Sequence, residues 1–416
     1  MDVYTRGKML NNCNCIYCCY DPKANSNDHA NKKNKNQNSN CNVISNLLLP
    51  EDLMFYAFAL VPLSCLLNSA RYVCKSWAAV IHSPRFVEAY EQRRPCSKLG
   101  LYVENLVKQG RSYFLEFNDD VIGPFERFDL GIPKNLGYII STCDGLLFLS
   151  SNCGQFFVVN PILKCCLKIP PTPISQKLLV VSSRCTIARV PRTAKFKLFL
   201  LDVLEISGDF WYVFYVLRIG IDNSWKEIAR KEAPRNWVLS WEPLYRGGND
   251  LYWITIDDII VMDVDREIIV GKYPLPSAPM PGDRVPIFLS MGNHLSCIAY
   301  KDEIYEAYQI YILDFDSGKW SLYHEMGHFD YLAACGHELN NLSSVVFRFW
   351  VNDQIIFRVT RPRFNLAYMS PDKFIHFGYN VKTKQLTCIE GIDAEGSYEL
   401  WLHTNSLVSL SSTQHS

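Results

Sequence analysis

His324, Glu325, Met326, Gly327 and His328 are the residues whose types and spacing come nearest to a reaction centre. On a helix, H-E-x-x-H sets two imidazoles one turn apart on a zinc ion while the glutamate activates a bound water. The surrounding residues oppose that reading. Lys319 to Tyr323 reads as a hairpin strand running straight into the motif, and Gly327 disfavours a helix there. Tyr331 and Ala334 stand where the extended protease pattern needs glycine and histidine. The expectation is a strand end and loop carrying ordinary histidines. A second group, Cys13, Cys15, Cys18 and Cys19, has C-x-C and C-x-x-C spacings, with His29 and Cys41 downstream. A structural zinc site needs a closed set of four ligands, and no second paired cluster follows, so a solvated tail is the leading reading, with acylation of the clustered thiols as another. The acceptor sequence Asn341-Leu342-Ser343 is expected to be idle. The chain has no G-x-S-x-G elbow, Walker loop or dinucleotide fingerprint. No catalytic residue, metal or cofactor is assigned.

The elements that would position any site follow from composition. At 416 residues the chain has room for two or three domains, and 48% hydrophobic with 20% charged residues is an ordinary globular balance. Forty-two basic and forty-two acidic residues cancel, leaving no global field to hold nucleic acid or an anionic membrane. No apolar run approaches the roughly 20 residues needed to span a bilayer, and the start of the chain does not read as a signal peptide. The sixteen cysteines are therefore expected as reduced thiols in the cytoplasm or nucleus.

One stretch, residues 49–86, is too apolar for its size. Glu51 and Asp52 suit the first turn of a helix that Pro62 ends near Val61. A second helical piece is expected over 63–67. A third, over 70–82, carries Val73, Trp77, Val80 and Ile81 on one stripe, with Pro84 as its stop. So small a trio buries too little apolar surface on its own, which points to a partner's surface completing its core.

The residues Leu49-Pro50-Glu51-Asp52-Leu53, Val61-Pro62-Leu63 with Leu66-Leu67, Val73-Cys74-Lys75-Ser76-Trp77 and Ser83-Pro84-Arg85-Phe86 together resemble an F-box. That resemblance implies a three-helix module docking on the Skp-type adaptor of a cullin-RING ubiquitin ligase, with the rest of the chain selecting a protein substrate. By position, Leu49, Pro50, Leu53, Phe58, Val61, Pro62 and Leu66 match the adaptor-facing positions of the family, and Val73, Trp77 and Phe86 those that close the module. The chain departs from the family at Tyr56, Ala57 and Leu60, where many members carry an acid, a large aliphatic and a basic residue.

Ahead of this module, residues 1–44 are rich in Asn, Lys and Ser without hydrophobic periodicity and read as disordered. The F-box is bounded at 45–90 and a charged connector at 91–98. From 99 to 412 the pattern is of short strands, and a hairpin unit recurs at 113–130, 156–170, 215–230, 259–276, 310–326 and 374–391, with turn residues Asn118, Asn160, Asp222, Asp265, Asp316 and Asn380. Further strand pairs at 143–151, 248–256 and 292–300 precede several of these. Intervals of roughly 40 to 65 residues, near the kelch-type period of about 50, fit radially arranged four-stranded blades, about six in number. The motifs Cys143-Asp144-Gly145-Leu146, Asn160-Pro161 and Leu251-Tyr252-Trp253 resemble the F-box-associated, kelch-like region of plant F-box proteins. The fold class expected is α+β and multidomain, a small three-helix F-box followed by an all-β propeller; a pair of β-sandwiches is the alternative.

Recognition loops are sought among long aromatic excursions. Asn236 to Trp241, with Trp237 and Trp241 as anchors and Arg246 beside them, is one, and the proline-rich 274–286 is the other. The expected function is a non-catalytic substrate receptor of a Skp-cullin-F-box ligase. A propeller-based scaffold binding protein or glycan outside a ligase is the alternative, and an enzyme the third reading.

Overall fold

The computed structural model describes residues 51–61, 65–66, 69–93, 99–106, 112–117, 126–129, 136–151, 154–163, 165–173, 184–235, 242–245, 247–277, 286–291, 294–302, 307–327, 329–335, 344–361, 373–389, 392, 398–406, 408 and 410. The chain divides into two compact units, Met1–Met54 and Phe55–Ser416. Of the first, only residues 51–54 are described, the opening turn of helix α1 (Glu51–Leu60). That helix starts on its two acids as expected and closes with Val61 N–H donating to Phe58 O at 3.0 Å, one residue before Pro62.

The helix expected over 70–82 is broken in two. Ala70–Tyr72 forms a single 3-10 turn, Cys74 is extended (φ −160°, ψ 169°), and α2 (Lys75–His82) begins after it. Pro84 stops α2 and also opens α3 (Pro84–Arg93), which occupies ground assigned from sequence partly to a connector. Proline ends one helix by lacking an N–H, and for the same reason suits the first position of the next, where that N–H has no partner. Ser83 serves both ends, since its hydroxyl donates to Val80 O at 2.8 Å and accepts from Phe86 N–H at 3.3 Å. Phe58 packs edge-on to Trp77 and Phe86, with ring centroids 4.8 and 6.4 Å apart, and Tyr90 on α3 donates to Val61 O at 3.2 Å. Trp77 and Phe86 thus close the module, whereas Val73 is exposed.

The β region forms six four-stranded antiparallel sheets. The first contains β1 (Leu99–Asn105), β2 (Tyr113–Glu116) and β3 (Glu126–Asp129), and the second β4 (Tyr138–Cys143), β5 (Leu146–Ser150), β6 (Phe156–Asn160) and β7 (Cys165–Lys168). The third runs β8 (Cys185–Arg189), β9 (Phe196–Ile206), β10 (Asp209–Arg218) and β11 (Lys226–Ala233). The fourth runs β12 (Leu244–Tyr245), β13 (Asp250–Ile254), β14 (Asp258–Asp263) and β15 (Ile268–Pro274). The fifth holds β16 (Ile287–Met291), β17 (His294–Asp302), β18 (Ala307–Asp314) and β19 (Lys319–Met326), with a short helix α4 (Tyr331–Cys335) after it. The sixth holds β20 (Ser344–Val351), β21 (Gln354–Arg361), β22 (Lys373–Asn380) and β23 (Leu386–Cys388). The final strand, β24 (Tyr398–Thr404), returns to the first sheet beside β1.

This is a six-bladed β-propeller closed by its last strand. First strands of successive blades lie against one another, β24 on β4, β4 on β8, β8 on β12, β12 on β16 and β16 on β20, so they form the inner ring round the axis. Apolar layers fill the gaps between blades, for example Phe148, Phe156, Ile187, Leu198 and Tyr215 between the second and third. Middle strands such as β5 and β6 are buried throughout because neighbours cover both faces, while the outer strand β15 alternates.

All six hairpins read from the sequence are the third and fourth strands of the six blades. Their turns share a device. Asn160, Asp263, Asp314 and Asn380, each the last residue of a third strand, accept a backbone N–H two or three residues on, at 2.7 to 3.1 Å. Glu267, Gly318 and Lys384 then adopt a positive φ and return an N–H to the carbonyl four residues back. Asp265 and Asp316 lie in these turns but two residues past the side chain that caps them, Asp222 caps its turn through Arg218, and Asn118 lies outside the described residues. Trp225 and Trp320 each donate an indole N–H to the preceding blade, at Pro170 O (3.2 Å) and Pro274 O (2.9 Å), which explains an aromatic residue near the start of the fourth strand.

The Asp144-Gly145 turn joins β4 to β5 under the chain's final segment. Gly145 has φ +88°, and a Cβ there would stand 2.3 Å from Ser406 Cβ and 2.9 Å from Ser406 N. Gly145→Ala is expected to cost about 1 to 3 kcal/mol of stability, read as a lowered urea midpoint at unchanged m.

Candidate docking surfaces

Helix α1 displays an apolar stripe. Leu53, Tyr56 and Leu60, at helical spacing i, i+3 and i+7, are 54%, 53% and 75% exposed. Two of these are positions where the chain departs from the F-box pattern, and the helix places them on the same face as Leu53. Of the other positions expected to meet an adaptor, Leu49, Pro50 and Pro62 lie outside the described residues, Val61 is half-buried, and Phe58 and Leu66 are 4% and 0% exposed. In this chain Phe58 and Leu66 are therefore interior supports of the exposed face.

At the end of the propeller axis where the first strands finish, a cavity of about 300 Å³ is lined by Thr142, Cys143, Tyr245, Ser290, Trp350 and His403 among others. Burial holds His403 down to about 3, so its ring is neutral there, set edge-on to Tyr102 and Phe114. At the opposite end lie charged groups. Glu399 on β24 pairs with Arg348 and Arg358 from the sixth blade, and Glu104 on β1 accepts N–H bonds from Ile139 (2.9 Å) and the Trp401 indole (2.8 Å). Burial pushes the Glu104 carboxyl up to about 7, and Glu399 adds to the shift. His376 is held down to about 3 by burial and then by Arg358 and Arg348.

Trp237, Trp241 and Arg246 lie outside the described residues. The segment bearing the two tryptophans leaves β11 at Ala233-Pro234, beside an open cleft of about 360 Å³ between the third and fourth blades. Asp258 is buried in that cleft. Although burial works to raise it, hydrogen bonds from Lys231 (2.7 Å) and Lys272 (2.6 Å) hold its carboxyl below the usual range. Sequence reasoning missed Asp258 and its lysines because the three sit on separate strands with no local spacing to link them.

The H-E-x-x-H residues do not form a helical metal site. His324 and Glu325 are neighbours on strand β19, so their side chains take opposite faces. His324 Nε2 is 3.0 Å from the Tyr379 hydroxyl, while Glu325 accepts from Lys301 (3.0 Å) and Gln309 (2.7 Å). His328 and the Cys13 to Cys19 cluster lie outside the described residues. Among the described residues no group of three His, Cys, Asp or Glu side chains could hold a metal ion, and no helix is long and apolar enough to cross a membrane.

Residues 46–88 match the F-box domain family model. No curated protein sequence matches the chain. Among solved structures, an exo-β-1,3-galactanase from Phanerochaete chrysosporium is 8% identical with a TM-score of 0.32, the match covering 61% of this chain and 63% of that one. An oligogalacturonate lyase from Vibrio parahaemolyticus is also 8% identical with a TM-score of 0.32, over 70% of this chain and 84% of that one. Likenesses this distant carry no functional weight. The chain joins an F-box domain, at residues 46–88, to a six-bladed β-propeller.

Proposed function

We propose that the chain is the non-catalytic substrate receptor of a Skp-cullin-F-box ubiquitin ligase, in which the F-box docks a Skp-type adaptor and the propeller presents a protein client for ubiquitination. The observation that carries this reading is the F-box match together with the exposed Leu53, Tyr56 and Leu60 stripe on its first helix. An apolar stripe on so small a module favours association, since each such side chain contributes about 1.5 to 3 kcal/mol when fully buried. The client's ubiquitination then follows from proximity, which raises effective concentration without chemistry in this chain. The propeller is of the kelch-like, F-box-associated kind found in plants, bounded at about 99–412, with the F-box at 45–90. The cytoplasm or nucleus is the proposed location, in keeping with the nine described cysteines, all free thiols.

The test is co-purification. Full-length chain is expected to carry a Skp-type adaptor and a cullin, and a chain lacking residues 46–88 to carry neither. Proteins labelled by proximity to both chains, but more abundant with the deleted one, are the expected clients. Adaptor retention by the deleted chain would overturn the reading in favour of a scaffold that works outside a ligase.

A further inference from the structure

The ring closes along β24, whose seven residues pair with β1 from Tyr398 opposite Asn105 to Thr404 opposite Leu99. Glu399 and Glu104 fall directly across that ladder, and both are buried. Each pins the seam to a different neighbour. Glu399 Oε2 holds Arg348 and Arg358 on the sixth blade, and Glu104 holds the Ile139 N–H at the start of the second blade and the Trp401 indole on β24 itself.

Like charges directly opposite in a ladder repel, and removal from water penalises each charged form. Glu399 is paired with two guanidinium groups, whereas Glu104 meets two neutral N–H donors. The seam is also incompletely satisfied, because Glu399 Oε1, Arg348 Nε, Arg358 Nε and both ring nitrogens of His376 are buried without hydrogen-bond partners. The titratable and charged groups around Glu104 are Tyr102 on its own strand, Glu399 on β24, and Arg348, Arg358 and His376 on the sixth blade; Glu242 before β12 senses Arg348 and Glu399. Buried His376 stays neutral throughout the range considered, as does His403 toward the other end of β24.

We propose that this seam is a proton-operated latch, in which protonated Glu104 keeps β24 closed on β1 and β4, and loss of that proton loosens β24 and opens the ring. The inference rests on the propeller alone and holds whatever the F-box binds. Its direction follows from geometry: Glu104 is buried directly opposite Glu399 and meets two neutral donors, and that setting lifts its carboxyl to about 7 in the closed ring, against 4.5 for a glutamate in water. Closure is at full strength below pH 4.5, weakens as pH rises, and has lost the whole contribution above pH 7.

Hydrogen exchange of the full chain tests it. After correction for intrinsic rates, protection of amides in 99–105 and 398–404 is expected to fall about tenfold between pH 6 and pH 8. Amides in 250–254 and 258–263, within the fourth blade, are expected to hold steady. Glu104→Gln, which keeps an acceptor but no titration, should abolish the fall. An equal pH course in that variant, or an equal fall in the fourth blade, overturns the proposal. Should the variant not fold, the infrared carbonyl band of a protonated carboxyl in wild-type protein decides: it should vanish between pH 6 and pH 8, and its absence at pH 6 overturns the latch.

Discussion

A chain ended at residue 397 is expected to lose the cooperative unfolding transition of the full-length protein. The first blade would be left with three strands and an open inner edge, since β24 supplies its innermost strand from the far end of the chain. The loss has several parts. Leu400 and Leu402 leave an apolar layer shared with Val351 and Ile356 of the sixth blade, at about 1.5 to 3 kcal/mol for each fully buried side chain. Arg348 and Arg358 lose the carboxylate that both share, and breaking a buried ion pair in this way costs about 3 to 5 kcal/mol. The fully buried Asn160 amide loses Ser406 O (2.9 Å) and Val408 O (2.8 Å), the bonds that fasten the tail beneath the second blade. Together these rival the whole of a typical domain's stability, about 5 to 15 kcal/mol. Circular dichroism melting should show a broad, weak transition, and a synthetic peptide of residues 396–412 added in trans should restore a sharp one. A truncated chain that melts sharply within a few degrees of full-length protein would show that closure by β24 is dispensable.

The second large effect is expected at α1. Leu53→Asp and Leu60→Gln should each weaken adaptor binding by about 2 to 3 kcal/mol, roughly a hundredfold in Kd, with the double variant undetectable in a pull-down. These substitutions are chosen to leave the helix intact. Position 53 lies in the first turn, where an acid complements the helix dipole, and at position 60, the last residue, glutamine is a good helix former. Both side chains are exposed, so the melting temperature should hold while binding is lost. Phe58→Ala is the contrast: its ring sits between Trp77 and Phe86, so it should lower stability by about 3 kcal/mol along with binding. Unchanged adaptor affinity in the Leu53→Asp, Leu60→Gln double variant would remove this stripe from the interface.

Much of the architecture was written locally. The blade hairpins were readable because, in the five whose turns are described, an Asn or Asp caps its own turn with two alternating or apolar runs beside it, all within about fifteen residues. The F-box was readable for the same reason, as spaced Leu, Pro and Trp positions in one short stretch. Local signals fail where one residue serves two purposes. Pro84 was read as a stop because that is what proline does to the helix before it, while its fitness for the first turn of α3 shows only once that helix has something to pack on.

What the sequence determined by itself, then, was a ring of about six blades, the rough placing of their turns and the existence of a helical module, all consequences of turn chemistry and hydrophobic period. What the tertiary structure decided was which distant pieces meet. That β24 belongs to the first blade, that Trp401 donates to a Glu104 lying 297 positions away, and that Asp258 meets Lys231 from the preceding blade are facts of how the blades meet round the ring. No window of sequence encodes them, because the strands of each blade are chosen by the burial of its two faces against its neighbours, and that burial is complete only when the circle is.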